Sequence, residues 1–210
     1  MKPRLMILFL ILTGFSLSAG ETGGISYRFV PGSGYSALHW MGPLPMRLKP
    51  QMALWAETPE GRFLAPLFVT RKAGENDFTG AGEEGRPEAL PVYFHRYRPG
   101  TDEVSGATPG KNATLTIPRG FSLPEGPVVF LAEVNRSFDY NETYTRENSG
   151  VNGQPSLIFR GIYLPGMKTL VLHPEGTGDS GEGQFIPGLS GITTALDIVT
   201  QVVLEFPDHS

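Results

Sequence analysis

Short apolar runs recur along this chain, bounded by glycine or proline, with no 10–15-residue helical pattern between them. The 27 Gly and 19 Pro fall chiefly between these runs, where they read as turns and not as low complexity, because 40% of the chain is still hydrophobic. Gln51–Thr58 is one such run. Met52, Leu54 and Ala56 alternate with Ala53, Trp55 and Glu57, so the strand is apolar on both faces for much of its length. Pro59-Glu60-Gly61 then turns the chain, and Arg62–Thr70 returns as the second arm of a hairpin. Ile25–Val30 is a candidate strand, and further strands are expected at Thr114–Ile117, Pro127–Val134, Ser156–Leu164 and Met167–His173. Ile192–Phe206 also fits a helical stripe, but its Ile, Val and Thr content favours a strand. About seven strands without intervening helices predict an all-β fold, an antiparallel sandwich with long irregular loops.

The N-terminus predicts the compartment. Lys2 and Arg4 precede the unbroken apolar run Leu5–Leu12, and Ser18-Ala19-Gly20 supplies small residues for cleavage. This is the layout of a secretory signal peptide over residues 1–20, too short for a comfortable bilayer span of about 20 apolar residues. A periplasmic or secreted chain starting at Glu21 is expected, with an irregular segment over 21–50, one β-sandwich domain over 51–210 and no membrane span after cleavage. Loss of Lys2 and Arg4 takes the formal net charge from −4 to −6, which argues against nucleic acid or an anionic membrane as partner. The chain has no cysteine, so disulfides, Cys-ligated metals, iron–sulfur clusters and a Cys nucleophile are excluded.

Residues 71–100 form a long polar excursion, the kind of segment that is functional or flexible. It ends in an aromatic and basic run, Tyr93, Phe94, Arg96, Tyr97 and Arg98. The four histidines, His39, His95, His173 and His209, show no i+2 or i+4 pairing for a metal, and no G-x-S-x-G elbow is present. Asp139–Asn148 is dense in side-chain oxygens but lacks the Gly and Glu positions of an EF-hand. A loop-based hydrolase or carbohydrate-binding module would need carboxylates such as Asp77, Asp139 or Glu142 to converge.

The segments PQMALWAETPEGRFLAPLFVTR (50–71), DEVSGATPG (102–110) and PEGPVVFLAEVNRSFDYNETY (124–144) resemble a bacterial family of predicted periplasmic proteins, the domain of unknown function 2271. The resemblance implies an immunoglobulin-like sandwich and supplies no activity. Asp102-Glu-Val-Ser105-Gly106-Ala107-Thr108 is also similar to sites where periplasmic flavin transferases join FMN to a threonine through a phosphodiester. That likeness implies a covalent FMN on Thr108, with Ser105, Gly106, Ala107 and Asp102 around it. Tyr93, Phe94 and Tyr97 would then cover the flavin, and Arg96 and Arg98 would neutralise its phosphate. The same residues also make a good turn before a strand. The expected function is therefore an exported non-catalytic accessory or binding protein, associated with a membrane redox protein or a flavin transferase. A flavinylated electron carrier is the alternative.

Overall fold

The computed structural model describes residues 24–78, 81, 85–97, 105–117 and 120–207. The signal-like segment, Asp102 and Arg98 lie outside the described residues. The fold is mostly β. Its strands are β1 (Ser26–Pro31), β2 (Ala37–Met41), β3 (Leu44–Leu48), β4 (Gln51–Glu57), β5 (Phe63–Thr70), β6 (Ser105–Gly106), β7 (Leu115–Thr116), β8 (Val128–Asn135), β9 (Leu157–Tyr163), β10 (Thr169–Gly178), β11 (Phe185–Pro187) and β12 (Val199–Glu205). Three short helices accompany them among the described residues: α1 (Arg71–Gly74), α2 (Pro91–Arg96) and α3 (Arg146–Ser149).

The main sheet runs β6-β5-β4-β8-β9-β10-β12-β1-β7, with β11 paired on β10. It is mixed and not wholly antiparallel, because β6 pairs parallel to β5. The reason is the connection. The chain leaves β5 at Thr70 and returns only after the excursion that carries α2, and a crossover of that length lets a strand come back in the same direction.

The sheet curls on itself through β10. Thr169–Leu172 pair with β12, whereas His173–Thr177 pair with β9, and the register shifts between Pro174 and Gly176. Proline cannot donate to a ladder, so it sits at the irregularity where the strand changes partners. The curl brings distant strands into contact. Phe68 of β5 lies 5.8 Å from Tyr27 and 5.9 Å from Phe29 of β1, ring centre to ring centre, although β5 and β1 are far apart in the strand order. Met52, Leu54, Phe130, Phe159, Leu172, Val202 and Leu204 share that buried cluster. Burial of each such side chain is worth about 1.5–3 kcal/mol.

The doubly apolar pattern of β4 has a direct cause. Its even-numbered residues face the main core. Ala53 and Trp55 face outward with Val129, Leu131 and Ile158, and this outer face is covered by Leu90, Val92 and Tyr93. The excursion expected to be a loop therefore supplies a helical cover for the sheet.

Three other expectations change. Within the segment over 21–50, the candidate strand Ile25–Val30 forms as β1 of the main sheet, and the stretch after it, expected to be irregular, folds into β2 and β3 as a separate two-stranded sheet. The strand expected to end at His173 runs on as β10 to Gly178, and its last residues pair with β11. The closing run begins with a 3-10 turn at Thr194–Asp197 and becomes a strand only at Val199.

Candidate functional site

The segment singled out for flavin attachment is built into the sheet edge. Ser105 and Gly106 pair with Val69 and Thr70, and Ser105 and Ala107 are exposed. A side chain at Gly106 would meet the Phe68 ring at 3.1 Å, so the glycine makes room for a core aromatic. Thr108 is half-buried and its hydroxyl donates to the Pro50 carbonyl at 3.4 Å. The next carbonyl, that of Pro109, accepts the Tyr35 hydroxyl at 2.6 Å.

The aromatic run meant to cover a flavin sits elsewhere. Tyr93 packs 5.8 Å from Trp55, and Tyr97 stacks 5.3 Å from Phe63. Arg96 donates to the Gly61 carbonyl at 3.0 Å and pairs with Glu57 at 3.6 Å. These contacts lie at the hairpin end of β4 and β5, while Pro50 and Thr108 lie at the opposite end. The intervening strand is roughly 20 Å long at about 3.3 Å per residue. Tyr97 and Arg96 are thus remote from Thr108.

Sequence reasoning missed one buried polar centre and the role of the acid in a second. Glu133 on β8 is fully buried beneath α2. Its carboxylate accepts the backbone N–H of Val92 at 3.2 Å and of Tyr93 at 2.7 Å, and the Ser156 hydroxyl at 2.6 Å. It therefore ties the first turn of α2 to the sheet. Burial pushes its carboxyl up to about 7, against the opposing pull of these three donors. Gly178 closes the chamber, since a Cβ there would lie 2.5 Å from Ser156 Oγ and 2.8 Å from Glu133 Oε1. The only sequence signal was a lone acid in an apolar run.

The second centre supports the loop after β8. Arg136 donates to Asp139 Oδ1 at 2.6 Å and to the Gly34 carbonyl. Gln154 Nε2 donates to Asp139 Oδ2 at 3.0 Å, and the Thr194 hydroxyl donates to Oδ1 at 2.9 Å. Asp139 is consequently a structural hub, while Asp77 and Glu142 are exposed. Among the described residues, no three or more His, Asp and Glu side chains gather for a metal ion. The convergence of carboxylates that a loop-based hydrolase requires is not observed among them. In the oxygen-rich loop, Asn141 Oδ1 accepts the N–H groups of Thr143 and Tyr144, and Asn148 Oδ1 that of Thr145.

The Asp139 hub presents Phe138 at a surface hollow. Phe138 has φ 62°, an unusual value for a bulky residue, held by its N–H to the Val151 carbonyl at 2.8 Å. Its ring stacks on His39 of β2 with centres 4.1 Å apart and planes 4° apart. His39, Trp40, Gly42, Phe138, Tyr140 and Arg146 line an open hollow of about 430 Å³. Trp40 is 61% exposed, and Leu38, Leu44 and Met46 on the same hairpin are also exposed. The sequence carried one hint of this face: from Thr22 to Ala56 it has no acidic residue.

Comparison of the chain with protein-family models, curated proteins and solved structures finds no match in any of the three.

Proposed function

We propose that this chain is an exported, non-catalytic β-protein that binds a component of the cell envelope through the face formed by the β2–β3 hairpin and the loop after β8. The observation that carries the reading is the aromatic hollow with its exposed tryptophan. Contiguous apolar surface of this kind on a soluble fold marks an interaction site, and Trp is enriched where binding energy concentrates. The loop that supplies Phe138 and Tyr140 is anchored by the Asp139 hub, so the face is preorganised. Export is supported by the signal-like layout of residues 1–20. The two halves of the curled sheet are read as the two leaves of a sandwich, supported by their shared core. An immunoglobulin-like connectivity rests on the family resemblance alone.

Association with a membrane redox protein or a flavin transferase belongs to the same reading, with the hollow as the contact face. The Ser105–Thr108 segment is taken as an edge strand and turn, supported by its pairing with β5 and the Thr108 bond to Pro50.

Cell fractionation tests the proposal. The wild-type chain is expected to start at Glu21 and to stay with the envelope fraction after osmotic shock. Trp40→Ala is expected to release it into the soluble fraction with its thermal melt unchanged. Retention unaffected by Trp40→Ala, or a chain found in the cytosol with Met1 intact, overturns the reading.

A further inference from the structure

We infer that the β2–β3 hairpin is a peripheral membrane anchor whose apolar tip enters the interfacial layer of an anionic bilayer. The inference deepens the binding-face proposal and rests on it. Leu38, Trp40, Leu44 and Met46 are 58%, 61%, 69% and 40% exposed, and all four belong to this one hairpin. The remaining exposed large hydrophobics among the described residues, Val151, Ile162, Leu164 and Ile186, belong to other segments. Both faces of the hairpin carry apolar side chains: Leu38, Trp40 and Pro45 beside Arg47 on one, Leu44 and Met46 beside His39 on the other. Cross-strand partners share a face, so His39 lies beside Met46 and Trp40 beside Pro45. A small ligand seated in the hollow would leave Leu38 and Leu44 in water, whereas a lipid interface would take Leu44 and Trp40 at the tip, with Leu38 beside Arg47 at headgroup level.

Charge selects the same occupant. The molecule is acidic overall, but between Glu21 and Glu57 it carries Arg28, Arg47 and Lys49 and no acid. Arg47 and Lys49 follow the apolar tip and are exposed at the base of the hairpin. An interfacial Trp with flanking Lys and Arg is the pattern of segments that sit at headgroup level, the cations reaching lipid phosphates along their apolar stems. The net charge argued against an anionic membrane only because it averages over this segregation.

The hairpin edges distinguish a bilayer from a second copy of the chain. Among the described residues β2 and β3 pair only with each other, which leaves their outer edges without a strand partner there. β3 carries Pro45, which lacks an N–H, and the charge of Arg47, two devices that discourage edge-to-edge pairing. Five-residue strands reach roughly 15 Å at about 3.4 Å per residue, half the hydrocarbon thickness of about 30 Å. Open backbone edges are tolerated only where water reaches them, so the anchor lies in the interface and does not cross.

The test uses the two tryptophans. Trp55 is fully buried and bonded to Glu57 at 2.8 Å, so changes in emission report Trp40. The exported chain is mixed with phosphatidylcholine vesicles containing phosphatidylglycerol. The expected result is a blue-shifted emission, quenching by brominated acyl chains and co-sedimentation that weakens with salt. Leu44→Glu should reduce partitioning about tenfold or more with no change in thermal melt. Absence of a shift and of co-sedimentation overturns the inference. Co-sedimentation without a Trp40 shift, unaffected by Leu44→Glu, also overturns it, because another segment then binds. Self-association without lipid that Leu44→Glu abolishes, or a shift with soluble oligosaccharide and none with vesicles, names a different occupant and overturns it likewise. If vesicles do not bind while envelope retention in cells still depends on Trp40, the binding face stands and the bilayer falls.

Discussion

At the scale of single residues, Glu133 couples the fold to pH. Its carboxyl is raised to about 7 by burial, so between its unfolded pKa and about 7 the folded state holds a proton that the unfolded chain has lost. The contribution is fully present below the unfolded value near 4.3 and is lost as pH rises toward 7. Denaturant titrations from pH 4 to pH 8 should therefore show stability falling over that window in the wild type. Glu133→Gln should remove this part of the slope, and the difference between the two proteins isolates the contribution of Glu133. Glu133→Ala should be worse than either, because it leaves the Val92 and Tyr93 N–H groups and the Ser156 hydroxyl buried without an acceptor. A loss of about 2–4 kcal/mol is expected. A wild type and a Gln variant with the same pH slope would refute the linkage.

At the scale of elements, local pattern made the strands legible and hid their partners. The hairpin β4–β5, the strand β8 and the pair β9–β10 followed from alternation and turn residues, since both act over a few positions. What lies on the outer face of β4 did not. Trp55 announces a second buried face, but only the fold shows that Leu90, Val92 and Tyr93 fill it. The helical turns of the excursion are short and gain their stability from docking onto that face and onto Glu133, which no periodicity could reveal. The site was less legible still. His39, Trp40, Phe138 and Tyr140 meet across about a hundred residues of sequence, and none forms a spaced motif. The motif that was visible, around Thr108, lies in an edge element: β6 pairs with β5, and the turn after it carries the Thr108 hydroxyl to Pro50. Thr108→Val should therefore cost about 1 kcal/mol or less. Export alongside a flavin transferase should leave the intact mass of the wild type unmodified. A mass increase of one FMN, lost in Thr108→Val, would restore the flavin reading.

At the scale of the whole molecule, β10 decides whether the two halves of the sheet are one cooperative unit. It pairs with β12 along its first residues and with β9 along the rest, and Leu172, at the last β12 pairing, is fully buried in the core that both halves share. Melting one half would expose the inner face of the other, because Phe68 packs on Tyr27 and Phe29 across the curl. Partial unfolding would then strand a large apolar surface in water at about 25 cal/mol per Å², which favours all-or-none behaviour. Leu172→Ala should cost about 2–5 kcal/mol. That loss should appear equally in the fluorescence of Trp55, on the far side of β4, and in far-UV circular dichroism. Trp40 is exposed when folded and adds little to the fluorescence change. Coincident transitions shifted by the same amount are expected. Two separated transitions, with Trp55 indifferent to Leu172→Ala, would mean that the halves fold independently and that β10 only tethers them.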